Sequence, residues 1–335
     1  MKKLLALLLV STMLVVSLAA CGNGGNGGAA GGDEDFTIVM VAKHEGISWF
    51  DDMRVGVDEF AEIHGINAYQ IAPEGGDPAR QAQMVEELIA QGVDAIVVVP
   101  NDTQSIAPVL QRARDEGIVV IGHEAPDILD SVDYNMEAFD NVEHGRRFGM
   151  YLAEAMGGEG QFASFVGALT MTPHMIWWSS AVDYINENHP NMELITPEPI
   201  EDWNDNQLAF DRAMEILMAH PEVMGFTNSA ASGAGIAEAL VSVGRSDIAL
   251  VSTAIPSMSG QYILDGYMDA GLLWRPADAG YVSMMIALKV LRGESIETGT
   301  NLGRPGYESV IVDGNMVLGD APLVLSPENV LDFDF

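Results

Sequence analysis

The strongest constraint on this chain is an alternation. Short runs that are apolar throughout and rich in β-branched residues recur, and stretches with apolar residues at helical spacing separate them. The first four runs are "FTIVMVA" (36–42), "INAYQIA" (66–72), "AIVVVP" (95–100) and "IVVIG" (118–122). Between them lie "WFDDMRVGVDEFAEIHG", "DPARQAQMVEELIAQG" and "TQSIAPVLQRARDEG". The first helix stops at Gly65. The second opens with Asp77 as N-cap and Pro78 in the first turn, and stops at Gly92. Strands that are apolar on both faces must be covered on both faces, which predicts a parallel sheet between two helical layers. The pattern then restarts with the helix "VEHGRRFGMYLAEAMG". Further strands follow at "QFASFVG" (161–167), "MELITPE" (192–198), "VMGFTNSA" (223–230) and "IALVSTA" (248–254), again separated by helices. "SMSGQYILDGYMDA" and "ADAGYVSMMIALKVLRG" read as two more helices, and the tail from "GYESVIVDGNMV" onward as short strands and turns. The fold class is α/β, with two similar units of parallel sheet in one chain.

In such sheets ligands bind outside the carboxyl ends of the strands, so two facing units place a cleft between two sets of strand ends. At those ends the first unit carries Lys43, Trp49 and Phe50, then Asn101, then His123 and Glu124. The second carries His174, Trp178, Ser229, Ala231, Trp274 and Asp278. One of the neighbours Trp177 and Trp178 belongs to the core, and Trp178 is assigned to the ligand. Polar groups mixed with aromatic rings suit a sugar, because rings stack on its C–H faces while charged and amide groups fork onto its hydroxyls. The stretch "VVIGHEAPD" (119–127) makes Glu124 the expected hydroxyl acceptor, His123 its neighbour, and Asp127 part of the following turn. Two other chemistries stay open. His44, His123 and His174 would form a metal site if they converged, although neither "HE" pair has the spacing that places two His on one helix face. Glu124 and Asp278 would serve a hydrolase as paired carboxylates. No GxxxxGK[ST], strand-linked GxGxxG or GxSxG motif is present.

The N-terminus lies apart from this body. Met1-Lys2-Lys3, a long apolar run and Leu18-Ala19-Ala20-Cys21 have the order of a secretory signal peptide over 1–20. "LAAC" looks like a bacterial lipobox, so Cys21, the chain's one cysteine, is the expected lipidation site. The Gly-rich segment 21–35 reads as a tether to the outer face of the cell membrane. The whole chain, at 48% hydrophobic and 19% charged residues, is fit for large cores. Its net charge of -34, from 49 acidic and 15 basic side chains, argues against a nucleic-acid partner, whose phosphates need Lys and Arg.

Five stretches carry a resemblance: "VAKHEGISWFDDMRVGVDEFA", "QMVEELIAQGVDAIVVVPND", "ARDEGIVVIGHEAPD", "LLWRPADAGYVSMMIALKVLRGE" and "LSPENVLDFDF". Spread in order along the body, they resemble the sugar-type (ribose-like) periplasmic binding proteins of ABC importers, within them the autoinducer-2 and rhamnose-binding lipoproteins. The resemblance implies two Rossmann-like lobes joined by a three-strand hinge, a type I periplasmic binding protein. Lobe 1 would be 36–140 plus 277–312, and lobe 2 would be 141–276 plus 313–335. The chain crossings would fall near Asp140-Asn141, Trp274-Pro276 and Val312-Gly314. It also implies a small sugar-like ligand, ABC permease subunits as partners, no cofactor, no enzymatic activity and a monomeric chain. Against the autoinducer-2 pattern, Lys43 matches the Lys after the first strand and Glu124 replaces an Asp. Pro173-His174 stand where that pattern has Asp-Gln, and Ser229 and Ala231 where it has Pro and Ala. The ribose-type pattern adds aromatics after the first strand, here Trp49 and Phe50, and an acid near the second crossing, here Asp278. A ligand-sensing ectodomain of the same fold is the alternative role.

Overall fold

The computed structural model describes residues 35–333 and Phe335. The expected signal peptide, Cys21 and the tether up to residue 34 lie outside the described residues. In chain order the elements are β1 (Thr37–Val41), α1 (Ser48–His64), β2 (Asn67–Ile71), α2 (Pro78–Gln91), β3 (Ala95–Val98), α3 (Thr103–Asp115), β4 (Val119–His123) and β5 (Tyr134–Glu137). There follow α4 (Asn141–Met156), β6 (Glu159–Val166), α5 (Thr172–Asn188), β7 (Asn191–Leu194), β8 (Ile200–Glu201), α6 (Asn206–Ala219), β9 (Val223–Asn228), α7 (Gly233–Val243), β10 (Ala249–Thr253), α8 (Pro256–Leu264) and β11 (Ala270–Leu273). The last are α9 (Pro276–Leu291), β12 (Ile311–Asp313), β13 (Met316–Leu318) and β14 (Leu323–Leu325). Local chemistry sets many of the boundaries. Asp77, Asp102, Asp140 and Asp205 each accept a backbone N–H at the start of α2, α3, α4 and α6. Gly65 and Gly92 close α1 and α2 in the left-handed conformation.

The first sheet has the order β2-β1-β3-β4-β5-β13-β12 and the second β7-β6-β9-β10-β11-β14. In both, the core of five parallel strands repeats one order, second-first-third-fourth-fifth. Two helices change sides. α4 follows β5 but packs on β9 and β10, and α9 follows β11 but packs on β1, β3 and β4. Glycines let these helices seat closely. A Cβ on Gly56 of α1 would lie 1.8 Å from the Ala277 carbonyl oxygen of α9, and one on Gly145 of α4 would lie 2.6 Å from the Trp177 Cα of α5.

The chain therefore crosses between lobes after β5, after β11 and after β13. The third crossing lies at 319–322, not near Val312-Gly314. Val312 and Gly314 belong to a hairpin: β12 pairs antiparallel with β13 through a two-residue turn at Gly314-Asn315, with Gly314 at φ 62. β13 then pairs parallel with β5. Residues 313–318 thus belong to the first sheet, against the expected boundary at 313. β5 itself has no counterpart in the sequence reading, because its buried residues include Asn135 and Glu137.

Candidate ligand cleft

A cavity of about 270 Å³ lies at the carboxyl ends of the strands, between the lobes. That volume is small for a ligand cavity and suits a monosaccharide-sized guest. Lys43, Trp49, Phe50, Asn101 and Glu124 line it from the first lobe; His174, Ser229, Ala231 and, at the second crossing, Trp274 line the other side. His123, Trp178 and Asp278 do not line it.

Lys43 and Glu124 form a buried ion pair, with side chains 9% and 6% exposed. Burial pushes the Glu124 carboxyl up, but the Lys43 ammonium, with further help from His123, outweighs burial and holds it below the usual carboxylate range. The turn after β4 that presents Glu124 is strained, at φ 55. Among the described residues only Glu124, Trp203 and Asn204 are non-glycine residues at positive φ, and all three line the cavity. Such backbone costs on the order of 1–3 kcal/mol per residue and concentrates where function requires it. Behind the first wall, Gln81 ties the ends of β1 and β3 together. Its side-chain N–H donates to the Ala42 and Val99 carbonyls, and its oxygen accepts from the Asn101 amide. Asn101 in turn donates to the Lys43 carbonyl at 2.7 Å.

His174 accepts the Gly167 amide on Nδ1 at 3.0 Å, so its ring proton sits on Nε2. Burial, reinforced by the Lys43 charge, lowers its pKa to about 3, and it is neutral at ordinary pH. Trp177, not Trp178, faces the cavity. Its indole N–H donates to Asn141 Oδ1 at 2.6 Å, and its ring packs on His174 and Trp274. Consecutive residues on a helix point about 100° apart, and the seating of α5 on α4 turns Trp177 inward. His123 is the last residue of β4 and stays inside the sheet layer, behind the wall. Its Nδ1–H donates to the Met136 carbonyl at 2.8 Å, while Nε2 lies 3.7 Å from Glu124 Oε1 without a hydrogen bond. Asp278 sits in the first turn of α9, 3.8 Å from Arg304 Nε, on the first lobe's side.

Sequence reasoning missed several wall residues. Gly75 and Gly76 follow β2, Met171 precedes α5, and Trp203 and Asn204 follow β8. It also missed the group that shapes that last turn. Asp202 is fully buried. It accepts from the Asn204 amide (2.9 Å), the Asn228 side chain (3.1 Å) and the Ser232 hydroxyl (2.6 Å). Burial outweighs these bonds and raises its pKa to about 7. The Asp-Asn turn composition of "EDWNDN" was the available signal.

Lys43 is the one Lys or Arg among the residues lining the cavity, and Glu124 already neutralises it. Among the described residues no group of three or more His, Cys, Asp or Glu is placed to hold a metal ion. The arrangement offers fixed hydroxyl partners against indole rings.

Known proteins share this architecture. The profile of the periplasmic binding protein domain matches residues 38–295. The ribose import binding protein of Bacillus subtilis is 23% identical over 79% of this chain and 84% of its own length. The xylitol-binding protein of Mycolicibacterium smegmatis is 25% identical over 65% of this chain and 62% of its own length. Among solved structures, LsrB from Clostridium saccharobutylicum in complex with AI-2 superposes with a TM-score of 0.80 at 18% identity, covering 89% of this chain and 100% of that one. A solute-binding protein from Clostridium phytofermentas with bound L-rhamnose gives 0.81 at 19% identity, covering 89% and 98%.

Proposed function

The chain belongs to the periplasmic binding protein domain family of non-enzymatic, extracytoplasmic sugar-binding proteins, and we infer that it captures a small neutral sugar or polyol and delivers it to the permease of an ABC importer. The observation that carries this reading is the cleft's charge pattern. The two lobes enclose a monosaccharide-sized space whose buried cation and anion neutralise each other, facing four indole rings. An anionic guest would find no unpaired Lys or Arg in this desolvated site. A neutral polyol needs none: its hydroxyls reach Lys43, Glu124, Asn101 and Asn204, and its C–H faces rest on rings. Each lobe supplies half of these partners, so binding favours the arrangement in which both are present. Within that description the proposed ligand class is autoinducer-2, a pentose or a deoxyhexose. Cys21 would anchor the protein outside the membrane through attached lipid.

Calorimetric titration tests the reading with xylitol, D-ribose, L-rhamnose, autoinducer-2 and D-glucuronate. At least one neutral compound is expected to bind in the micromolar range or tighter, a common ~8 kcal/mol interaction, and to be recovered unchanged. D-glucuronate should bind at least about a hundredfold more weakly. Turnover of any ligand, or binding of glucuronate alone, defeats the proposal. For the anchor, Cys21→Ser should release the protein from the membrane fraction; continued membrane association would refute lipidation there.

A further inference from the structure

Glu137 ends β5 at the first crossing and is 2% exposed. Its Oε1 accepts from the Ala125 amide (3.1 Å) and the Asn135 side chain (2.7 Å), both in the first lobe. Its Oε2 accepts from Asn141 Nδ2 at 2.9 Å, and Asn141 is the first residue of α4 in the second lobe. Asn141 Oδ1 then takes the Trp177 indole N–H. Ala125 directly follows Glu124. One continuous path therefore runs from the cleft acid of the first lobe, through Glu137 and Asn141, to a cleft indole of the second. The third crossing is laced to the same place: the Gly319 amide donates to the Glu137 carbonyl at 2.9 Å, and the Ala321 amide to that of Ala138 at 3.0 Å.

We propose that Glu137 is a positioning residue for ligand capture, coupling the Glu124 turn of one lobe to the Trp177 wall of the other. This rests on the sugar-binding reading above. Three N–H donors with fixed directions converge on one carboxylate, and the neutral amide of the same length, Gln, does not accept all three. A Gln there would present an N–H to Asn141. If Asn141 flipped to receive it, its own NH₂ would turn onto the Trp177 N–H. Either way one donor loses its acceptor.

The ionisation of Glu137 offers a readout. Burial raises its pKa to about 7 against the three N–H bonds, and the charge of Glu124 adds to the rise. The other titratable groups around it are the buried Tyr307 phenol, which feels its charge, and Lys43 and His123 beyond Glu124. His144, on α4, is held neutral by burial with a pKa of about 3. Protonation places an O–H where the carboxylate accepted an N–H, so one of the three bonds is lost as pH falls through about 7.

The test uses the full chain. In the ligand-free protein, the Trp177 indole N–H resonance, assigned with Trp177→Phe, should shift with a midpoint near pH 7. The shift should vanish in Glu137→Gln and persist in Asp202→Asn, whose partners all lie in the second lobe. With L-rhamnose as probe, Glu137→Gln and Asn141→Ala should each speed dissociation about tenfold, the worth of one net hydrogen bond, and the double variant should do no more than either alone. If Glu137→Gln does not fold, Asn141→Ala carries the test, because it removes both links of the path, the bond to Glu137 and the acceptor of the Trp177 N–H. A pH-independent Trp177 resonance, or additive effects of the two variants, overturns the coupling. Should L-rhamnose not bind, the neutral compound that does bind in the titration replaces it; failure of all of them counts against the sugar reading alone, and the resonance still decides the role of Glu137.

Discussion

Lys43 and Glu124 pair where neither has much water, so each depends on the other. Removing one partner of a buried pair leaves a desolvated charge, at a cost of about 3–5 kcal/mol. Glu124→Ala should therefore lower stability by that amount in urea unfolding and weaken ligand binding at least about a hundredfold by calorimetry. Asp127, three residues on, is the control. It accepts the hydroxyl of Thr103, the first residue of α3, at 2.7 Å, so Asp127→Ala should cost about 1 kcal/mol and leave affinity unchanged. Equal losses of affinity in both variants would remove Glu124 from the site. Position in the sequence already separates these acids, because Glu124 directly follows a parallel strand and Asp127 follows Pro126. The choice between Trp177 and Trp178 was not legible. It depends on how far α5 rotates on α4, which Gly145 and Gly149 set by admitting the Trp177 Cα and the Ala181 carbonyl. His123 misled for a related reason: its residue type suits a site, but its backbone is still inside β4.

At the level of elements, the alternation of strands and helices is strongly written because both faces of each sheet are buried. Among the strands that hide from that pattern are β11, whose first residue Ala270 falls at the end of a helix in the sequence reading, and β5. β5, "YNME", carries Asn135 and Glu137 into the interior, where hydrogen bonds rather than apolar patterning hold it. The hairpin of β12 and β13 was misread as a crossing because a turn between short strands and a crossing between lobes look alike until pairing is known. "VDGNMV" held the better clue, a two-residue Gly-Asn turn between short strands. The exchange of α9 is similarly silent in the helix's own residues but explains Gly56 and Gly280. A Cβ on Gly280 would lie 2.6 Å from the Met53 carbonyl oxygen. Gly56→Ala, facing the Ala277 carbonyl at closer range, should cost about 3 kcal/mol or more by thermal unfolding, since helix backbone rather than a side chain must yield. Gly65→Ala, at φ 66 in open space, should cost only about 1 kcal/mol. Equal costs would mean that α1 and α9 do not seat against each other as described.

For the molecule as a whole, the buried titratable groups predict an unusual response to pH. Glu137 and Asp202 have folded pKa values of about 7, above their ordinary values of 4.5 and 3.8. The folded state holds these protons more tightly than the unfolded state. Their contribution is most favourable at low pH and declines as pH rises to about 7. His144 and His174 lie at about 3 instead of 6.5. They are neutral in the fold, so stability is lost as pH falls through 6.5, when the unfolded chain gains protons that the folded chain refuses. Glu124, depressed by Lys43, adds to the loss on the acid side. Between the ordinary carboxylate value of 4.5 and the ordinary imidazole value of 6.5 the two sets oppose each other. A plateau is expected there, with a steep fall in acid and a shallower one toward pH 7, where the net charge of -34 also repels itself. Added salt should relieve the second fall by screening that repulsion. Urea midpoints measured across this range would show it. In the double variant Glu137→Gln/Asp202→Asn the opposing set is gone, so stability should climb steadily with pH by a few kcal/mol up to the imidazole value. A wild-type curve that already climbs throughout would mean that these two carboxylates ionise freely, and that the joint between the lobes does not feel their protons.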